Sequence, residues 1–290
     1  MRGARLTMAA LSVVLAGCGG GGVAAPRDET LNQSMDAARQ AAELDRLSVA
    51  EGQYRQAGTR ALARDDAGAI GDAGYNLAVV QLAQDRPADA LSTVAATRAA
   101  LAVRGRDGGD AELDLVQAAA LHRLSRDAEA APLAAGAMDV ADPGVAEQAS
   151  LLTGLIADAR GDRATLSAAA GRLAHTRPVP DKWQADEDEL RARLLLTADP
   201  GQARQLAQHA ADLRRRMVDY RGMARALTVA ARAAGLAGDA SGAAALSLRA
   251  TQSARALGNP ATAGALPAAG PDPFAEGPDV QSTSRLRALP

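Results

Sequence analysis

The sequence predicts an all-α protein built from repeated helical units, and three observations carry that prediction. Aromatic residues are almost absent: Tyr54, Tyr75, Tyr220, Trp183 and Phe274 are the whole set, 2% of 290 residues, where a sheet protein of this size would use more. Alanine, leucine, arginine, glutamine and glutamate are prominent instead, all favourable in helices. Apolar residues recur at helical spacing, as in Leu152, Leu155, Ile156 and Ala159, which places one stripe on one helix face. Abundant alanine also lets helices approach at the close end of the roughly 8–10 Å packing range.

The elements follow in chain order. Met1 to Arg5 carries two positive charges, and Leu6 to Ala16 is apolar apart from Thr7 and Ser12. Spanning a bilayer takes about 20 apolar residues, so this run reads as a signal peptide that targets without spanning. Leu15-Ala16-Gly17-Cys18 then resembles the lipobox of bacterial lipoproteins: an aliphatic residue, two small residues, and the cysteine whose thiol receives diacylglycerol. The resemblance implies a signal peptide over 1–17, cleavage before Cys18, and acyl chains on that cysteine. Each buried methylene adds roughly 0.8 kcal/mol, so two or three chains hold the protein on a membrane almost permanently. Cys18 is the only cysteine, which leaves no disulfide framework and no cysteine-based zinc site. Residues 18–28, with Gly19 to Gly22 and then Val23 to Pro26, read as the lipidated cysteine and a flexible tether. In enterobacteria an aspartate after the acylated cysteine retains such proteins on the inner membrane. Gly19 stands there in this chain, so the resemblance implies the outer membrane, facing the periplasm.

Residues 29–258 alternate apolar-periodic segments with breaks near Gly52, Asp85, Ser125, Gly161, Asp199 and Gly238. Helices of about 12 to 18 residues fit between them. In Gly52-Gln53-Tyr54-Arg55-Gln56-Ala57, a turn glycine is followed by an aromatic and then a small residue. The next unit has Tyr75-Asn76-Leu77-Ala78 and Asp85-Arg86-Pro87-Ala88-Asp89-Ala90. These units resemble tetratricopeptide repeats, pairs of antiparallel helices that stack into a superhelix. The resemblance implies an α-solenoid of about five to six hairpins in which Ala57, Ala90, Ala130 and Ala203 are buried where facing helices touch. Leu166 replaces the small residue in the unit after Gly161. Residues 259–290, with six prolines in the last 31 residues among alanine, glycine, serine and aspartate, read as a disordered tail.

Little in the chain points to catalysis. His122, His175 and His209 form no His-Glu-x-x-His or His-x-x-x-His arrangement, and no serine sits in a Gly-x-Ser-x-Gly elbow. Lys182 is the only lysine, and Val179 stands where a Ser-x-x-Lys nucleophile needs its serine. Asp186-Glu187-Asp188-Glu189 lacks the alternating ligands and glycine of a calcium loop. That run and Arg214-Arg215-Arg216 read as solvated helix ends matched to the macrodipole. Removing Arg2 and Arg5 with the signal peptide leaves 30 basic against 34 acidic residues, so no polybasic surface for nucleic acid is implied. The arginine bias accompanies heavy alanine usage and is ascribed to GC-rich coding. No catalytic residue, metal ligand or cofactor is predicted.

The expectation is therefore a non-catalytic cell-envelope scaffold or assembly factor that docks a protein or peptide, as tetratricopeptide lipoproteins do in outer-membrane, pilus or secretion, and peptidoglycan machinery. The alternative is a carrier of a lipid or other apolar ligand inside an alanine-lined solenoid. By the tetratricopeptide resemblance, first helices of successive hairpins line the concave side. The implied partner groove comprises Tyr75, Asn76 and Val79, then Leu115, Val116, Ala119 and His122, then Leu151, Leu152 and Leu155. Asn76 stands where an amide grips a peptide backbone by donating and accepting together. The competing reading makes Leu115, Leu152 and Leu155 inter-helix core and turns Asn76 to water.

Overall fold

A computed structural model describes residues 28–106, 110–174 and 179–256. Within them the chain is an all-α solenoid of six antiparallel hairpins: α1 (Glu29–Glu43) with α2 (Leu47–Ala63), α3 (Ala67–Ala83) with α4 (Pro87–Ala102), α5 (Ala111–Arg123) with α6 (Asp127–Gly136), α7 (Pro143–Arg160) with α8 (Arg163–Leu173), α9 (Asp181–Leu195) with α10 (Pro200–Arg216), and α11 (Tyr220–Leu236) with α12 (Ala240–Ala256). Expectations for 1–27 and 257–290, including Cys18 and Phe274, lie outside the described residues, as does His175.

Helix starts are written in aspartate. Asp28, Asp66, Asp110, Asp142, Asp162, Asp199, Asp219 and Asp239 each accept a backbone N–H from the first turn of the helix that follows. Such a cap contributes about 1 kcal/mol. Helix ends are closed by a left-handed residue that lets the next N–H reach five residues back, as Arg46 does to the Ala41 carbonyl and Arg86 to that of Gln81. The left-handed residues are Asp45, Asp65, Asp85, Gly105 and Ser125, at even intervals of 20, and later Gly161, Val218 and Gly238. A helix and its turn thus fill 20 residues, and a hairpin 40, through the first half of the chain.

Five of the six expected breaks coincide with turns: Asp85, Ser125, Gly161 and Gly238 are the left-handed residues themselves, and Asp199 caps α10. The first is wrong. Gly52 lies inside α2, where a Cβ would meet nothing within 4 Å, and the turn is at Asp45, seven residues earlier. The packing positions nonetheless hold, because Ala57, Ala90, Ala130 and Ala203 are all 0% exposed. Tyr54 packs beside Ala57 in the core of the first two hairpins.

Neighbouring helices pack in sequence, and across hairpins the contacts run α3 to α5, α5 to α7, α7 to α9 and α9 to α11. Odd-numbered helices therefore form the inner face of the solenoid. Close approach there depends on missing side chains: a Cβ on Gly154 of α7 would fall 2.4 Å from Leu190 of α9.

The acidic run corrects the sequence reading most. Asp186, Glu187, Asp188 and Glu189 are all buried, and so is Arg214, because α9 is enclosed by α7, α8, α10 and α11. Four consecutive helical residues point to every side, so charge enclosed in this way is retained by pairing. Glu189 accepts from Arg225 at 2.6 and 2.9 Å, from Arg193 at 2.9 Å and from Arg214 at 3.0 Å. Arg214 also donates to Asp186 at 2.6 Å and to Asp219 at 2.8 Å, and Asp188 meets His209 at 2.6 Å. Only Arg215 and Arg216 of the basic run are exposed, as expected of a helix end.

An arginine chamber on the inner face

The sequence-predicted groove residues do not converge on one surface. Leu115 is 7% exposed and packs with Ala137 and Ala149, while Val116 belongs to the N-terminal core, so both are inter-helix core rather than groove lining. Leu155 is also buried. Leu152, Leu151 and Ala119 are half-buried against core clusters. Asn76 is half-buried and its Nδ2 donates at 2.7 Å to the Asp72 carbonyl of its own helix, which commits the donor half of the amide. Tyr75 is half-buried, and burial followed by the charges of Glu112 and Asp110 pushes its phenol up. Val79 alone of the α3 trio is exposed, at 38%. His122, with Nδ1 2.6 Å from Asp127, reaches a cavity that the sequence reading did not anticipate.

That cavity has a volume of about 440 Å³ and is walled by residues of the α3–α4 turn and of α5, α7, α9 and α11. It is lined by five arginines, namely Arg123, Arg193, Arg221, Arg225 and Arg232, with Leu155 and Val229 as apolar wall. Two arginines belong to the buried layer: Arg225 is held by Glu189, and Arg193 by Glu189 and by Asp158 at 2.5 Å. Arg225 is pushed down by burial, but Glu189 more than reverses this and its ordinary value is exceeded.

The other three are less committed. Arg123 donates to the Leu82 carbonyl, and Arg221 donates to the Ala83 carbonyl at 3.1 Å. Both therefore sit at the C-terminus of α3, where the last carbonyls carry partial negative charge. They share one carboxylate, Asp85, at 4.0 and 3.4 Å. Arg232 is exposed and has no hydrogen-bond or ion-pair partner among the described residues. Burial and the neighbouring Arg221 and Arg225 charges push Arg123 down to about 10, against the pull of Asp85.

Arg221 joins α11 to a turn 136 residues earlier, so the inner face is bridged from the sixth hairpin back to the second. A pattern for this was present in the sequence: Arg221, Arg225, Thr228, Val229 and Arg232 follow helical spacing along one stripe of α11. Arginine is so abundant along the chain that the stripe does not stand out from its background.

The fold and the chamber define an all-helical repeat protein, a solenoid of hairpins with a cationic inner face. No protein-family model and no curated protein matches the chain. Among solved structures, it is similar to a tetratricopeptide repeat protein from Parabacteroides merdae, with a TM-score of 0.47 and 12% sequence identity, over 78% of this chain and 93% of that one.

Proposed function

We propose that this protein is a non-catalytic cell-envelope lipoprotein, held by acyl chains on Cys18 in the outer membrane and facing the periplasm, that acts as an interaction scaffold for a protein partner. Outer-membrane assembly, pilus or secretion, and peptidoglycan machinery are the settings that suit such a module. The observation that carries the reading is the inner face itself. Five successive odd-numbered helices, each backed by its own hairpin partner, run side by side, and Val79 of α3 is exposed. The membrane assignment stands on the Cys18 motif, and no helix of the described residues is long and apolar enough to cross a membrane.

Two substitutions test it. Cys18→Ser is expected to move the protein from the detergent phase to the aqueous phase, and unchanged partitioning refutes the anchor. Val79→Glu, with an unchanged melting midpoint, is expected to lose the partner that wild type crosslinks in envelopes; equal crosslinking places docking elsewhere. A second reading, a carrier of lipid or another apolar ligand, is favoured by a cavity of about 390 Å³ between α2, α3 and α4, walled by Tyr54, Leu62, Ile70 and Leu77. Organic extraction of the purified protein discriminates between the two.

A further inference from the structure

We propose that the arginine chamber is a binding site for a phosphate monoester, a dianion attached to a compact organic group. This goes beyond the scaffold reading and does not rest on it.

The charge count comes first. Behind the chamber wall, Arg193 and Arg225 are neutralised by Glu189 and Asp158. Inside it, Arg123, Arg221 and Arg232 face a single carboxylate, Asp85, which leaves an excess of two positive charges. Arg123 and Arg221 also serve α3 carbonyls, but within the chamber only Asp85 answers the charge. Arg232 touches no partner among the described residues, and the Arg123 and Arg221 guanidiniums repel each other in a partly desolvated space. One dianionic group relieves both costs, whereas a single carboxylate supplies half the charge.

Asp85 holds these guanidiniums only loosely. Ion pairs of the buried layer close to 2.5–3.1 Å, but Asp85 stands 3.4 Å from Arg221 and 4.0 Å from Arg123. An oxyanion between these two guanidiniums is therefore accommodated, and loosely, so most of their N–H donors are unspent. Phosphate brings three acceptor oxygens that match guanidinium forks, and arginine is suited to this recognition.

The chamber also has room for the group that carries the phosphate. Leu155 and Val229 give the chamber an apolar side, and its 440 Å³ exceeds the needs of an isolated anion. The Arg221 bridge to the α3–α4 turn crosses the inner face at this point, which suits a compact ester better than an extended polypeptide laid along that face. A soluble phosphate ester and the headgroup of a phosphatidate lipid share the required chemistry.

The test reads the melting midpoint of the full chain in neutral detergent micelles, since a ligand that binds only the folded state raises it. Phenyl phosphate is expected to raise the midpoint and benzoate, with the same ring and one charge, to leave it unchanged. Arg232→Glu is expected to melt like wild type without ligand, because Arg232 has no partner to lose, and to weaken phenyl phosphate binding at least tenfold by titration calorimetry. Arg221→Gln, which keeps a polar group at the bridge, is expected to weaken it as well. A rise with phosphatidic acid in the micelles, but not with phosphatidylcholine, identifies the lipid source; a rise with phenyl phosphate alone identifies the soluble one. The proposal is overturned if benzoate matches phenyl phosphate, if binding survives Arg232→Glu, if neither phosphate source acts, or if a glutamate-rich peptide raises the midpoint where both phosphates fail. Partner crosslinking retained by Arg232→Glu leaves the scaffold reading intact whatever the titration gives.

Discussion

Glu189→Gln tests the buried charge layer with a single substitution. The Glu189 carboxylate is 0% exposed and accepts from Arg193, Arg214 and Arg225, three guanidiniums from three helices. Glu189→Gln keeps the shape and one acceptor but removes the charge, and turns an amide N–H toward groups that only donate. Two of the three cations keep a second acid: Arg193 has Asp158, and Arg214 has Asp186 and Asp219. Arg225 has no other ion pair among the described residues, so it becomes an uncompensated charge. Breaking a buried pair in this way costs about 3–5 kcal/mol. For a domain of about 150–250 residues, each kcal/mol moves the midpoint by roughly 2–4 °C, so a fall of about 6–20 °C is expected. The assay is thermal circular dichroism at neutral pH, with Asp158→Asn as the reference for a less enclosed partner. A Glu189→Gln midpoint within 2 °C of wild type would show that the arginines are satisfied without it, and the buried-layer account would fail. Replacing Arg225 with Met in the same background is expected to recover part of the loss, because the stranded charge goes with it.

Three further outcomes are expected. Burial alone would raise Glu189, but Arg225, Arg193 and Arg214 hold it well below the ordinary 4.5; its contribution is therefore complete above that value and is lost as pH falls toward the folded-state value. Melting curves between pH 6 and 3 should show the midpoint falling below about pH 4.5. Asp186, raised by burial, gains from protonation in the folded state, so Asp186→Asn should steepen that fall, and a parallel curve refutes the assignment. Val218 is a β-branched residue at φ 61° and is 65% exposed, so Val218→Gly relieves about 1 kcal/mol of left-handed strain without losing burial; an unchanged or lower midpoint counts against it. Gly222→Ala sets a Cβ 2.2 Å from Asp219 and 2.4 Å from Arg214 and should cost about 1–3 kcal/mol, whereas Gly52→Ala, in open space within α2, should gain about 0.5–1 kcal/mol, both read from denaturant midpoints.

Helix and break were legible because both are local. Asp85, Ser125, Gly161 and Gly238 punctuate the sequence where the backbone turns left-handed, and alanine marks the places where helices touch. Gly52 misled because glycine was weighted over Asp45, yet aspartate is the residue this chain repeatedly uses in that conformation. Which face of a helix meets which neighbour was not legible. Leu115 and Val116 carry the same apolar signal whether they line a groove or fill a core, and only the packing of α5 against α3 and α7 decides. The acidic run failed for a related reason: Asp186 to Glu189 announces its charge locally and Arg193 stands one turn on in the same helix, but Arg214 and Arg225 are brought to it by α10 and α11.

The Arg221 bridge alters how such an array can lengthen over time. A stack whose units touch only their neighbours tolerates gain or loss of a unit anywhere, since stability is a sum over adjacent pairs. Here the sixth hairpin grips the turn of the second, which fixes the number of hairpins between them: a 40-residue insertion in that interval carries Arg221 away from Ala83 and Asp85 and opens the loop. The first hairpin stands outside this circuit. A unit gained or lost outside the interval from α3 to α11 leaves this bridge closed, whereas one gained or lost inside it breaks the contact.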